Sequence, residues 1–97
     1  MPTRNPDAEL TPAEAAQLHR EAVAARQQPV WFVLVDDPAF PGRYVGRVHT
    51  VDHHGGVWLP GVLAADTLEV LVEMMPPGLA RGPQTAVDPP GVVETWN

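Results

Sequence analysis

The chain has 97 residues, with six basic and twelve acidic side chains for a net charge of −6 at neutral pH, and it contains no serine, cysteine or lysine. Those absences remove the commonest hydroxyl and thiol nucleophiles, the Schiff-base amine and the thiolate metal ligand, and with no cysteine no disulfide can support the core. The length implies one domain, the apolar fraction of 44% suits a globular chain, and the acidity argues against direct binding to nucleic-acid phosphates.

Residues 1–10 carry Pro2 and Pro6 and show no periodicity, so a flexible N-terminal arm is expected ahead of a single domain over 11–97. Thr11-Pro12-Ala13-Glu14 is a helix-start signature, with Thr11 as cap, proline at the first position and Glu14 closing a capping box. That helix should run to about Gln27, because Pro29 drives Gln28 out of the helical region. Its inner face, Ala15, Leu18, Ala22 and Ala25, is thin and suits close approach to a sheet, while His19 reads as a surface residue. Val30 to Val35 is six apolar residues in a row, the pattern of a central strand covered on both sides. A loop through Pro41-Gly42 leads to a half-exposed strand over Arg43 to Val51. Asp52 to Gly56 is a turn, and Val57-Trp58-Leu59 is a third strand confined to an edge by Pro60-Gly61. A second helix is expected from an Asp66 cap, with Leu68, Leu71, Val72 and Met75 at helical spacing, ending at Pro76-Pro77-Gly78. Leu79 to Pro90 reads as loop and Val92 to Trp96 as the last strand.

The predicted order α-β-β-β-α-β gives an α+β fold, a small largely antiparallel sheet of about four strands with two helices on one face. Two short helices shield one side of such a sheet, so the second face of the apolar first strand must be covered by loops or by another chain.

Trp31, Asp36-x-Pro38-x-Phe40-Pro41, Tyr44-Val45-x-Arg47, Thr67-Leu68-Glu69, Pro76-Pro77-Gly78-Leu79 and Val93-Glu94-x-Trp96 together resemble a group of small uncharacterised proteobacterial and phage proteins with no assigned activity. The likeness covers about residues 30–97 and implies a compact domain of bacterial or phage origin, without assigning any catalytic residue. The exclusive use of arginine among basic residues, the lack of isoleucine and the abundance of Ala, Val, Pro and Gly fit a GC-rich coding genome of that kind. No run of eighteen apolar residues and no signal-peptide pattern is present, so a cytoplasmic protein without membrane contact is expected.

His49, Asp52, His53 and His54 form the one cluster with metal-ligand chemistry. Adjacent His53 and His54 in a glycine-flanked turn diverge, and a hairpin through Pro41-Gly42 would hold Asp36 and Asp37 about 20 Å from His49. A solvated turn is therefore the better reading, and no cofactor is expected. Asp36 and Asp37 read as an ordinary turn start in preference to a carboxylate pair for acid–base work. Arg43 and Arg47, an even number of positions apart on one strand, could grip an anion together with Tyr44, or pair with Asp36 or Glu94 across the sheet. Trp58 and Trp96 lie near strand ends, where full burial is hard, and aromatics with arginine are enriched at interfaces. The favoured expectation is thus a non-catalytic protein–protein interaction module, plausibly homodimeric, acting through a sheet face or edge that involves Trp58, Trp96, Arg43, Arg47 and Tyr44. Its most specific form is a phage or mobile-element inhibitor of a host enzyme or defence complex. The alternatives are a small metal-dependent or acid–base enzyme centred on the histidine cluster, and a module binding an anionic small molecule.

Overall fold

A computed structural model of the chain describes residues 8–52, 55–82 and 92–97. The elements in order are α1 (Pro12–Ala24), β1 (Gln28–Leu34), β2 (Tyr44–Asp52), β3 (Gly55–Trp58), β4 (Leu63–Ala65), α2 (Leu68–Met74), β5 (Arg81–Gly82) and β6 (Val92–Trp96). The fold is α+β with an antiparallel sheet, as expected, but the sheet has six strands instead of about four, because β4 and β5 add to it.

Both helices owe their starts to threonine. In α1 the Thr11 hydroxyl accepts from the Glu14 N–H at 3.1 Å, and the Glu14 carboxylate accepts from the Thr11 N–H at 2.9 Å, which closes the capping box. In α2 the cap is Thr67, whose side chain accepts from the Val70 N–H at 3.2 Å. Asp66, the expected cap, is exposed and faces Arg43 instead. The first helix stops at Ala24, short of the expected Gln27. Arg26 takes φ 60°, and the N–H groups of Arg26 and Gln27 close onto the Val23 and Ala22 carbonyls at 3.0 Å. That is a Schellman stop made by an arginine in the left-handed region usually left to glycine.

The strand order is β3-β2-β1-β6-β5. The apolar run of β1 is central, flanked by β2 and β6. On the far side of β2, β3 pairs with its end (His49↔Trp58, Asp52↔Gly55) and β4 with its beginning (Tyr44↔Ala65, Gly46↔Leu63). Residues 55–65 therefore form one edge strand broken at Pro60-Gly61. Beyond the break the chain start is added to the edge. The Val62 N–H donates to the Ala8 carbonyl at 2.9 Å and the Leu10 N–H to the Val62 carbonyl at 2.7 Å. Leu10 is buried. The expected arm over 1–10 is corrected on this point: residues 8–10 belong to the folded unit, and residues 1–7 lie outside the described ones.

Period-two alternation sorts the sheet into two faces. Trp31 and Val33 of β1, Val48 of β2 and Leu63 and Ala65 of β4 point to the helices and form the core with Leu10, Ala15, Leu71 and Met75. Small residues set the layer spacing. Ala15 and Ala22 are the buried positions of α1, and a Cβ on Gly46 would already lie 3.5 Å from Leu63 and 3.6 Å from Met75. Both helices pack into this one core, on one side of the sheet. No helix among the described residues is long and apolar enough to cross a membrane.

Candidate functional site

The opposite face of the sheet carries the residues of the other parity: Val30 and Phe32 from β1, Arg47, His49 and Val51 from β2, and Trp58 from β3. Direct antiparallel partners stand on the same side, so the Phe32↔Arg47, Val30↔His49 and His49↔Trp58 pairs bring these side chains together. Three rings form a cluster. His49 lies 4.9 Å from Trp58, Phe32 lies 5.3 Å from Trp58, and Phe32 and His49 are 6.4 Å apart, each pair edge to face. Such geometry is the favoured one for aromatic pairs. Gly56 makes it possible, because a Cβ there would run into the His49 imidazole. Thr50, buried on the helix side, donates to the Val57 carbonyl at 3.5 Å and helps hold β3 in register.

One end of this face is closed and the other is open. Arg47 donates from Nε and Nη2 to Asp37 Oδ2 at 3.0 and 2.9 Å, and both side chains are largely withdrawn from solvent. That pair ties the β1–β2 connection to β2, and Val45, of the same parity as Arg47, is fully buried. At the other end Trp58 is 47% exposed and Val51 45% exposed. Val30, Phe32 and His49 are half-buried. The first strand is therefore covered fully on one face only, where coverage of both was expected.

The arginines are bound internally, to partners other than those expected. Arg43 reaches Glu9 at 2.8 Å and Asp66 at 3.2 Å, tying the chain start to the loop before α2. Glu94 is near Arg81 at 3.9 Å. Tyr44 faces the helices and packs on the core, whereas Arg47 lies on the opposite side of the sheet. Arg43, Tyr44 and Arg47 thus do not converge on one ligand. Trp96 is separated from Trp58 too. It pairs with Trp31, packs half-buried against the core on the helix side, and donates from Nε1 to Glu94 Oε2 at 2.8 Å.

Of the metal-ligand candidates, His49 is held among aromatic rings, and His53, His54 and the side chain of Asp52 lie outside the described residues. Among the described residues no three histidines or carboxylates gather to hold an ion. Asp37 is committed to Arg47 and to the Ala39 N–H, while Asp36 is exposed at φ 61°.

His19 was expected at the surface, and the structure corrects this. Its Nδ1 accepts the indole N–H of fully buried Trp31 at 3.1 Å, and burial lowers its pKa. The signal was present in the sequence. Ala15, His19 and Ala22 follow the four-then-three spacing of one helix face.

Comparison of the chain with family models, with curated proteins and with solved structures finds no match in any of the three.

Proposed function

We propose that this chain is a non-catalytic protein-binding module that docks through the sheet face opposite its helices, with Phe32, His49 and Trp58 at the centre of the contact. The observation that carries the reading is the aromatic cluster itself. It stands on paired strands, so its rings are positioned in advance, and its outermost member keeps about half its surface in water. Rigid, partly exposed tryptophan beside apolar neighbours is the composition of an interface centre. The chemical inventory supports the same reading. Serine, cysteine and lysine are absent, and the two described histidines are engaged by a tryptophan N–H and by aromatic rings. An inhibitor carried by a phage or mobile element, acting on a host enzyme or defence complex by occupancy alone, is the form that small size, acidity and the family likeness favour.

The test compares the wild-type chain with Trp58→Glu as immobilised bait in lysate of the cell that encodes it, beside denaturant unfolding of Trp58→Ala. The expected result is loss of the captured proteins with Trp58→Glu, while Trp58→Ala costs under about 1 kcal/mol, against the 3–5 kcal/mol of a core tryptophan. An identical captured set for both baits, or a core-sized loss of stability, overturns the proposal.

A further inference from the structure

An open strand edge offers unpaired N–H and C=O groups, and folded chains blunt it with very short strands, charges, proline or a covering segment. One edge of this sheet ends in β5, two residues long and bearing Arg81. On the other edge the chain start covers Val62. β3 carries none of these devices. Every residue of Gly55-Gly56-Val57-Trp58 is exposed, none is charged or proline, and no other described strand lies outside it. The Leu59 N–H donates inward to the Val48 carbonyl at 2.9 Å. By the alternation of an antiparallel ladder, Gly55 and Val57 then also turn their backbone groups to β2, while Gly56 and Trp58 turn theirs outward. Among the described residues nothing pairs with those outward groups.

We propose that the outer edge of β3 pairs antiparallel with the same edge of a second copy of this chain, about a two-fold axis through Val57. The register follows from which groups are free. With Val57 at the axis, Gly56 exchanges hydrogen bonds with the partner's Trp58 and Trp58 with the partner's Gly56, so both outward-facing residues of each strand are used. A slip of one residue sets outward groups against inward ones, and a slip of two carries a pair beyond the end of β3. Side chains fit the same register, because directly opposed residues share a face. On the face of the aromatic cluster each indole meets a glycine, which has no side chain to hold it off, and the His49 imidazole that lies over that glycine. On the helix side the two Val57 side chains, each 54% exposed in the single chain, meet as a non-hydrogen-bonded pair with Cα atoms about 4.5 Å apart. Residues 55–59 carry no charge, so two chains of charge −6 meet where neither strand presents one. A strand of other sequence would satisfy the backbone groups alone; self-pairing also sets glycine at each tryptophan and valine at valine. The contact is isologous, runs the sheet on through both copies, and leaves the open face of each uncovered.

Because the chain has no cysteine, a single introduced thiol reports on the axis. Val57→Cys in the full chain is expected to form a disulfide-linked dimer under mild oxidation, since opposed Cα atoms in this register lie within disulfide range. Val70→Cys, exposed on α2, is the control and is expected to stay monomeric. Analytical ultracentrifugation supplies the second measurement. The contact is small, so the wild type is expected to shift from monomer to dimer between about 10 μM and 1 mM. Val57→Lys, which sets like charges against each other at the axis, should dissociate at least about tenfold more readily, with unchanged circular dichroism; Val70→Lys should follow the wild type. The thiol and wild-type measurements stand if the lysine variant fails to fold. A wild type still monomeric at about 1 mM overturns the pairing. So does a Val57→Cys chain that cross-links no faster than Val70→Cys, or a folded Val57→Lys chain that associates as the wild type does.

Discussion

Burying an indole obliges its N–H to find an acceptor, and in this fold a histidine on the neighbouring helix supplies it. Because Nδ1 of His19 accepts from Trp31 at 3.1 Å, the imidazole proton resides on Nε2, and a second proton would have to sit where the indole N–H already points. Protonation therefore breaks the bond and leaves the N–H of a fully buried ring unpaired. The sign follows from linkage. The folded pKa is lowered by burial, so the unfolded chain binds the proton more readily, and stability is complete above the usual histidine value of about 6.5 and declines as pH falls towards the lowered one. Thermal unfolding at pH 7.5 and 5.5 checks this against His19→Gln, whose amide oxygen accepts the same hydrogen bond without titrating. The glutamine variant is expected to lose less stability over that interval. His19→Leu, which orphans the N–H, should cost about 1–3 kcal/mol at either pH.

At the scale of elements the broken edge strand explains most of what differs from the sequence-based reading. Leu63-Ala64-Ala65 has two alanines and follows Pro60-Gly61, so nothing in its composition marks a strand. It pairs because β2 is long enough to hold β3 and β4 end to end. Arg81-Gly82 is equally hidden, a two-residue strand that exists by pairing with Trp96 and Thr95. Where the local signal is strong, at the six-residue apolar run and at Thr11-Glu14, the sequence and the structure agree. The break in the edge strand carries its own prediction. Gly61 has φ 102°, and a Cβ there would lie 2.7 Å from Leu10 Cδ2. Gly61→Ala should thus strain the backbone and dislodge Leu10 from the core, lowering stability by at least about 1 kcal/mol. Hydrogen exchange reads the local effect as faster exchange at the Leu10 and Val62 amides, which bond across this junction. Unchanged protection at those two amides would refute the link between the glycine and the chain start.

For the whole molecule, composition showed that the apolar strand surface exceeds what two short helices cover, and it placed Trp58 near an exposed edge. It did not show which side chains meet on the open face. The cluster of Phe32, His49 and Trp58 depends on the registers of two strand pairs, and the second is set across residues 52–55, where no side-chain pattern dictates the pairing. Nor did it separate Trp58 from Trp96, since both sit near strand ends; only the β1–β6 register turns Trp96 to the helix side.

The pairing of Trp31 with Trp96 joins the middle of the chain to its far end, and this sets the order in which the molecule can assemble. The β1–β2 hairpin closes over a short connection, whereas β6 can dock only after a loop containing β2 to β5 and α2 has closed, at an entropic cost that grows with its length. Folding kinetics should therefore divide by strand. Val48→Ala, in the hairpin, is expected to slow refolding, while Val92→Ala, in β6, should chiefly accelerate unfolding, and stopped-flow chevron plots of the two variants measure that division. Until β6 arrives, one flank of the central strand is without its hydrogen-bonding neighbour, and that unpaired flank is the point at which an early folding species is most open to mispairing.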